Sequence, residues 1–398
     1  MFRWHKCRAI ADDFKGGQQR SSKSADGSGT MCCPIEQDLN VSEQLLNWIR
    51  PEIRELTAYH VPDASGLVKL DAMENPYGLP EALLPRWKEG LAAVALNRYP
   101  DPAATALQQR LIEVMQVPRG RSIVLGNGSD ELIQMLALAV AAEGRCIMSF
   151  EPGFVMYSMI ARFVGMDYAG VPLGDDFTLD IDSTREAIER HQPAVIFIAY
   201  PNNPTGNLFD AAAVEEIIRA APGLVVVDEA YHPFALSSFM PKLEAFDRLL
   251  VMRTVSKMGL AGLRLGLLCG NPALINEINK VRLPYNINVL TQYTASFILD
   301  NAGFLEGQAE MIRADREHLL EQLSLLDEIE VFPSQANFIL FRLRQGNATD
   351  VFTALCDQGV LIKNLDKPGP LKNCLRVTVG TAEENQVFIQ ALERALHS

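Results

Sequence analysis

Six short runs of aliphatic residues, at 122–125, 146–150, 194–199, 224–227, 249–252 and 265–269, organise the middle of the chain. None of them alternates apolar with polar positions, so none reads as a strand with one wet face. Continuous Val/Ile/Leu runs of this length belong to strands covered on both sides, the condition of a mostly parallel sheet sandwiched between helices. Helical spacing fills most of the intervals; the clearest case is 130–142, stopped by Glu143-Gly144. After Asn271-Pro272 the texture changes to longer helices at 273–282, 290–300 and 308–326, then to short strands at 330–332, 337–341, 360–362 and 375–379. That change reads as a second, smaller α+β domain.

Residues 1–38 are rich in glycine, serine and charge, and read as a flexible extension. The expected division is an N-terminal arm with part of the small domain over 39–75, a large domain over 76–295 and a small C-terminal domain over 296–398. With 48% hydrophobic residues among 398, the chain can bury a large core, which excludes disorder of the whole. A net charge of −13 argues against adhesion to nucleic acid or an anionic membrane surface. The longest apolar stretch, 132–142, is too short to span a membrane. Seven cysteines without a C-x-x-C pair fit a reducing, cytoplasmic setting and no metal site.

In open α/β sheets, ligands sit at the carboxyl ends of the strands, so the polar residues that follow each aliphatic run are the ones to question. Gly126-Asn-Gly-Ser-Asp130 follows a strand and opens a helix, where backbone amides and the macrodipole favour an anion. It matches most of a dinucleotide fingerprint, but Glu131 stands where the third glycine belongs and would disturb close helix packing; an ordinary tight turn also fits. Pro201-Asn-Asn-Pro-Thr-Gly206 follows the third run and is equally readable as a turn. Asp228-Glu-Ala-Tyr231 follows the fourth, and a carboxylate at the end of a buried strand calls for a cation. Ser256-Lys257 follows the fifth; the lysine is a candidate amine nucleophile, or a solvated loop residue. Gly259-Leu-Ala-Gly-Leu-Arg-Leu-Gly266 then brings Arg264, suited to bidentate capture of phosphate.

Taken in this order, the series Gly-Ser-Asp, Asn-Pro-Thr-Gly, Asp-Glu-Ala-Tyr, Ser-Lys and Gly-Leu-Arg-Leu-Gly resembles the fold type I pyridoxal-phosphate aminotransferases, from about residue 40 onward. Within them, Glu74-Asn-Pro-Tyr-Gly78, Asn97-Arg-Tyr-Pro-Asp101, Ala336-Asn-Phe338 and Cys374-Leu-Arg-Val-Thr-Val-Gly380 are similar to the histidinol-phosphate aminotransferases of histidine biosynthesis. The resemblance implies that Lys257 holds pyridoxal 5'-phosphate as an internal aldimine and that Asp228 keeps its ring nitrogen protonated. It implies that Asn203 and Tyr231 bond the ring's phenolic oxygen and that Phe154 stacks on the ring, although Phe154 also reads as a core residue. Gly128, Ser129, Asp130, Ser256 and Arg264 would enclose the phosphate, and Tyr77 would reach the phosphate in the neighbouring subunit of a homodimer.

The implied reaction is ping-pong, with L-glutamate giving up its amino group, 2-oxoglutarate leaving, and imidazole acetol phosphate leaving as histidinol phosphate. Arg376 and Lys363 would read the substrate's anions, and Tyr59 would cover it from the N-terminal arm. Lys363 stands where many members carry a second arginine, and the Lys257-to-Arg264 spacing is one residue tighter than in many. An aromatic aminotransferase or another phosphorylated-amine enzyme, such as a threonine-phosphate decarboxylase, is the alternative. A cofactor-sensing regulator lacks its helix-turn-helix segment here, and a dinucleotide oxidoreductase explains neither Lys257 nor Asp228.

Overall fold

The computed structural model describes residues 43–58 and 62–397. The extension expected over 1–38 lies outside the described residues, as does Tyr59. The chain divides at Arg54: the described part of the first unit holds two single-turn helices, Glu43–Leu46 and Pro51–Arg54, and the second unit runs from Glu55 onward.

Thirteen strands follow among the described residues of the second unit. They are β1 (Val68–Lys69), β2 (Ser122–Gly126), β3 (Cys146–Glu151), β4 (Asp167–Pro172), β5 (Val195–Ala199), β6 (Leu224–Asp228), β7 (Leu249–Thr254), β8 (Gly266–Gly270), β9 (Ile329–Val331), β10 (Phe338–Leu343), β11 (Val360–Leu361), β12 (Lys363–Asn364) and β13 (Cys374–Thr378). Seven make one sheet in the order β2-β8-β7-β6-β5-β3-β4. Its neighbours from β7 to β4 are parallel, and only β8 runs against those beside it.

The aliphatic runs do what their composition requires. Along β5, Val195 and Phe197 enter one core while Ile196 and Ile198 enter the other; Val226 and Leu250 join the first, Val225, Val227, Leu249 and Val251 the second. Period-2 side chains thus feed two apolar layers, each closed by helices. Strand β4 is the one of these seven that the sequence reading missed. It lies at the sheet edge with exposed Asp167, Gly170 and Pro172, so its half-wet pattern and poor strand formers hide it.

A second core gathers around the antiparallel sheet β12-β13-β10-β9, with Leu70 from the chain's early part joining Leu319, Phe341, Leu355, Leu375 and Phe388. The β1–β11 pair, Val68 opposite Val360, ties that early segment in. The 22-residue helix Gly303–Ser324 serves both cores: Leu305 packs in the large one, Leu319 and Leu323 in the small. The last helix, Ala382–Leu396, starts with a reciprocal cap between Thr381 and Glu384.

Candidate active site

At the carboxyl ends of β5, β6 and β7 lies a cleft of ≈ 600 Å³, open at its mouth, whose wall includes Ala199, Asp228 and Thr254 from those three strands. Ser129, Asp130, Phe154, Asn203, Tyr231, Ser256, Lys257 and Arg264 complete the set of sequence-predicted residues on its wall. Motifs spread over more than a hundred positions therefore meet in one place, because each lies at the same edge of one sheet, after a strand that ends there or, for Arg264, before antiparallel β8 starts there.

One end of the cleft is built for an anion. Helix Gly128–Val140 begins there, and the first amides of a helix have no partner within it. Gly128 has φ +77°, a conformation that favours glycine, and a Cβ on it would sit 2.7 Å from Arg264 Nη2 and displace that guanidinium. Arg264 itself turns through φ 47° and places Nη2 3.3 Å from Asp130 Oδ2. Across from it, the Ser256 hydroxyl lies 2.9 Å from Thr254 Oγ1, which also accepts the Ser256 amide at 3.1 Å. Glu131 does not spoil the packing as its sequence position implied. Its carboxylate turns back to accept the Asn127 amide at 2.5 Å and the Asn286 side chain at 2.9 Å, leaving the helix start open.

Deeper in, Asp228 is 4% exposed at the end of β6. Its Oδ2 accepts the Tyr157 hydroxyl at 2.8 Å and its Oδ1 the Ala230 amide at 3.1 Å. Burial raises its carboxyl from 3.8 to about 6; these two hydrogen bonds oppose the rise, while Asp130 and Glu229 add to it. The sequence called for a cation here, yet no lysine or arginine pairs with Asp228 among the described residues. Its neighbour Glu229 faces the other way into an ion pair with Arg253 at 2.8 Å, supported by Ser238. Tyr157 escaped the sequence reading. The available signal was its place three residues after Phe154, in an otherwise apolar stretch at the start of helix Met156–Val164.

Lys257 occupies a single 3₁₀ turn, Ser256–Met258, directly after β7. Its Nζ donates to the Ala72 carbonyl at 3.0 Å and lies 5.8 Å from the centre of the Tyr231 ring. Burial, with the charges of Arg376 and Arg264, brings this amine down from 10.5 to about 8, against the pull of Glu74. Arg376, on β13, donates through Nη1 to Asn203 Oδ1 at 2.5 Å and through Nη2 to the Asp71 carbonyl at 3.0 Å. Asn203 in turn donates to the Tyr231 hydroxyl at 3.2 Å, and burial pushes that phenol up while Arg376 pulls it down. One chain of hydrogen bonds therefore joins β13, the Asn203 turn and the Tyr231 turn. Residues 71–73 form the cleft's cover: two consecutive carbonyls hold Arg376 and Lys257, and Met73, at φ 53°, lines the cavity.

Three predicted residues stand apart. The Tyr77 hydroxyl donates to Asp315 Oδ2 at 3.3 Å on the long helix, outside the wall of this cleft. Lys363 is half-buried on β12, directly opposite Arg376 in the antiparallel register, so the two side chains leave the same face of the small sheet. Tyr59 lies outside the described residues.

The donor set fits pyridoxal phosphate. A buried carboxylate with no lysine or arginine partner among the described residues suits a protonated ring nitrogen, a desolvated lysine suits an aldehyde, and the Gly128 helix start with Ser256 and Arg264 suits a phosphate. The comparisons with known proteins agree in kind. Residues 65–392 match the model of the aminotransferase class I and II family. Histidinol-phosphate aminotransferase 2 of Nitrosococcus oceani is 55% identical over 352 residues, 88% of this chain and 98% of that protein. Histidinol-phosphate aminotransferase 1 of Ralstonia nicotianae is 54% identical over 369 residues, covering 91% and 98%. The crystal structure of histidinol-phosphate aminotransferase from Sinorhizobium meliloti in complex with pyridoxal-5'-phosphate shares the fold at a TM-score of 0.78 and 23% identity, over 87% of this chain and 97% of that one. An L-threonine-O-3-phosphate decarboxylase from Porphyromonas gingivalis shares it at 0.71 and 22%, over 83% of this chain and all of its own. Family match, near-full-length identity above one half and the assembled cleft together place the chain in the class I and II aminotransferases, within the histidinol-phosphate aminotransferases.

Proposed function

We propose that this chain uses pyridoxal 5'-phosphate to pass an amino group from L-glutamate to imidazole acetol phosphate, yielding 2-oxoglutarate and histidinol phosphate. The observation that carries it is the convergence of Lys257, Asp228 and the Gly128–Arg264 anion cradle on one cleft, with Arg376 reaching its edge through Asn203. Bound pyridoxal phosphate supplies an electron-withdrawing ring that spreads the charge left when an amino acid gives up its α-proton.

The chain does the rest. Lys257 Nζ, brought down from 10.5 to about 8, has a larger neutral fraction near neutral pH than an ordinary lysine, and in that form it can accept the α-proton and return it, as general base and then acid. Asp228 stabilises a proton on the ring nitrogen, since a neighbouring cation restores the buried carboxylate to its charged form. Asn203 and Tyr231, joined by a hydrogen bond on the cleft wall, would hold the ring's phenolic oxygen, and Phe154 would cover its face. Arg376 offers two guanidinium nitrogens, now on Asn203 and the Asp71 carbonyl, to the α-carboxylate of glutamate or to the acceptor's phosphate. Lys363, on the same sheet face, would add a second positive charge without the guanidinium fork, and Tyr59, outside the described residues, is assigned to the substrate by the family resemblance alone.

The working unit on this reading is a cytoplasmic homodimer, with 76–295 as the cofactor domain and 39–75 and 296–398 as arm and small domain. Exposed Leu96, Tyr99 and Leu283, each more than 70% accessible, support a covered face there, and Tyr99 stacks on Tyr285 with ring centres 4.4 Å apart. Tyr77 would then reach the phosphate in the partner subunit. Among the described residues no helix is long and apolar enough to cross a membrane.

The test is to convert the holoenzyme to its amino form with glutamate and compare turnover of imidazole acetol phosphate with that of phenylpyruvate. Preference for the phosphorylated ketone is expected. Preference for phenylpyruvate overturns the substrate assignment in favour of an aromatic aminotransferase.

A further inference from the structure

The Asp228 carboxylate is fixed by two contacts of different kinds. The Ala230 amide on Oδ1 belongs to its own turn, whereas the Tyr157 hydroxyl on Oδ2 comes from a separate helix, Met156–Val164. Tyr157 is 1% exposed, and its ring has little freedom: it stacks on Phe197 at 4.7 Å with planes 8° apart and meets Phe154 edge-on at 5.4 Å. Phe197 lies on β5 opposite Val226 of β6, two residues before Asp228 on that strand, so the sheet that carries the carboxylate also holds the ring that orients it. Burial and the nearby carboxylate push the Tyr157 phenol far up, so it stays protonated and always donates.

On the reading that Asp228 meets the ring nitrogen of pyridoxal phosphate, we propose that Tyr157 is the positioning residue for that contact, locking the carboxylate so that its remaining lone pairs face the cofactor. A carboxylate oxygen has two lone-pair directions. Filling one on each oxygen from behind leaves the others defined in advance, and no rearrangement is needed when the cofactor enters. The same hydrogen bond favours the charged form of Asp228, against burial and against the charges of Asp130 at the helix start and Glu229 on the same turn. Glu229 is itself tied to Arg253, and Lys257, Arg264 and the Tyr231 phenol complete the titratable groups around the cleft. Tyr157 is thus the one donor from another element that acts on Asp228 among the described residues.

The prediction separates this role from simple packing by using two ligands. Apoprotein is reconstituted with pyridoxal phosphate and with its 1-deaza analogue, in which carbon replaces the ring nitrogen, and both affinities are measured by titration. Tyr157→Phe keeps the stacked ring and removes only the hydroxyl. It should weaken pyridoxal phosphate by about tenfold, the scale of one hydrogen bond to a charged group, and leave the deaza analogue nearly unchanged. In an Asp228→Asn background the same substitution should have no further effect on either ligand. Equal losses for the two ligands, or no loss for either, overturn the positioning role. If wild-type protein itself binds the two ligands alike, the assignment of Asp228 to the ring nitrogen falls, and the role of Tyr157 falls with it.

Discussion

Replacing Asp228 by asparagine should make the cofactor-free protein more stable at neutral pH, although it removes a central residue of the site. Asparagine keeps the shape, and its amide can still accept the Ala230 N–H and donate to the Tyr157 oxygen, so packing around a side chain 4% exposed is preserved. What changes is charge. The carboxyl rises from 3.8 in the unfolded chain to about 6 when folded. At about 1.4 kcal/mol for each pH unit, ionising it inside the protein costs about 3 kcal/mol. Below pH ~4 the group is protonated in both states and the penalty is absent. Between ~4 and ~6 the folded form keeps a proton that the unfolded form releases, so stability falls as pH rises; above ~6 the wild type carries the whole penalty. Urea titrations of the two cofactor-free proteins should therefore coincide near pH 4 and separate by about 3 kcal/mol at pH 7.5, with asparagine the more stable. Saturating pyridoxal phosphate should reverse the order, because a ligand that binds the aspartate form more tightly stabilises it more. A difference that does not change with pH, or a less stable asparagine variant at pH 7.5, refutes the account of an uncompensated buried charge.

Behind the cleft the same reasoning predicts the opposite outcome. Arg253→Met removes the partner of the fully buried Glu229 and should lower stability by about 3 kcal/mol at neutral pH, with part of the loss recovered as pH falls and Glu229, whose carboxyl burial already pushes up, takes up a proton; a loss below ~1 kcal/mol by the same urea titration would show that the pair contributes little. At the substrate side, Arg376→Lys keeps the charge but cannot hold both Asn203 and the Asp71 carbonyl. Single-turnover kcat/KM should fall about 10- to 100-fold in each half-reaction, and a fall confined to one half would assign the arginine to that substrate alone.

The fold was legible wherever burial left a mark on composition. Strands β5 to β8 are covered on both faces, so selection for apolar side chains acts on every residue and the runs stand out. Strand β4 is covered on alternate residues only and is paired on one side, and its Gly170 is packed closely against Glu151. Strand β1 has two residues and owes its existence to β11, nearly three hundred positions away. Such elements are made by their partners, and a local pattern has nothing to record.

The site divides on the same line. Asp228 and Lys257 could be picked out because each is polar chemistry at the end of an apolar run, where the strand end fixes its position, and Arg264 because it stands among glycines just before the next run. Tyr157 and the 71–73 cover act through what lies opposite, which depends on a helix start and on a loop crossing from the other core. The electrostatics are less legible still. A chain of net charge −13 gathers Lys257, Arg264 and Arg376 closely enough that the two arginines help bring the lysine down to about 8, a shift that depends on separations in space. Lys363, which the sequence grouped with them, shares a sheet face with Arg376 but is not on the cleft wall. Three mutually repelling cations are tolerable because the site takes anions: each phosphate or carboxylate that enters relieves that repulsion and moves the Lys257 amine back toward its ordinary value. Ligand binding and the basicity of the proton-transferring lysine are therefore coupled, and saturating inorganic phosphate should raise the pH at which the Lys257 amine of the cofactor-free protein titrates.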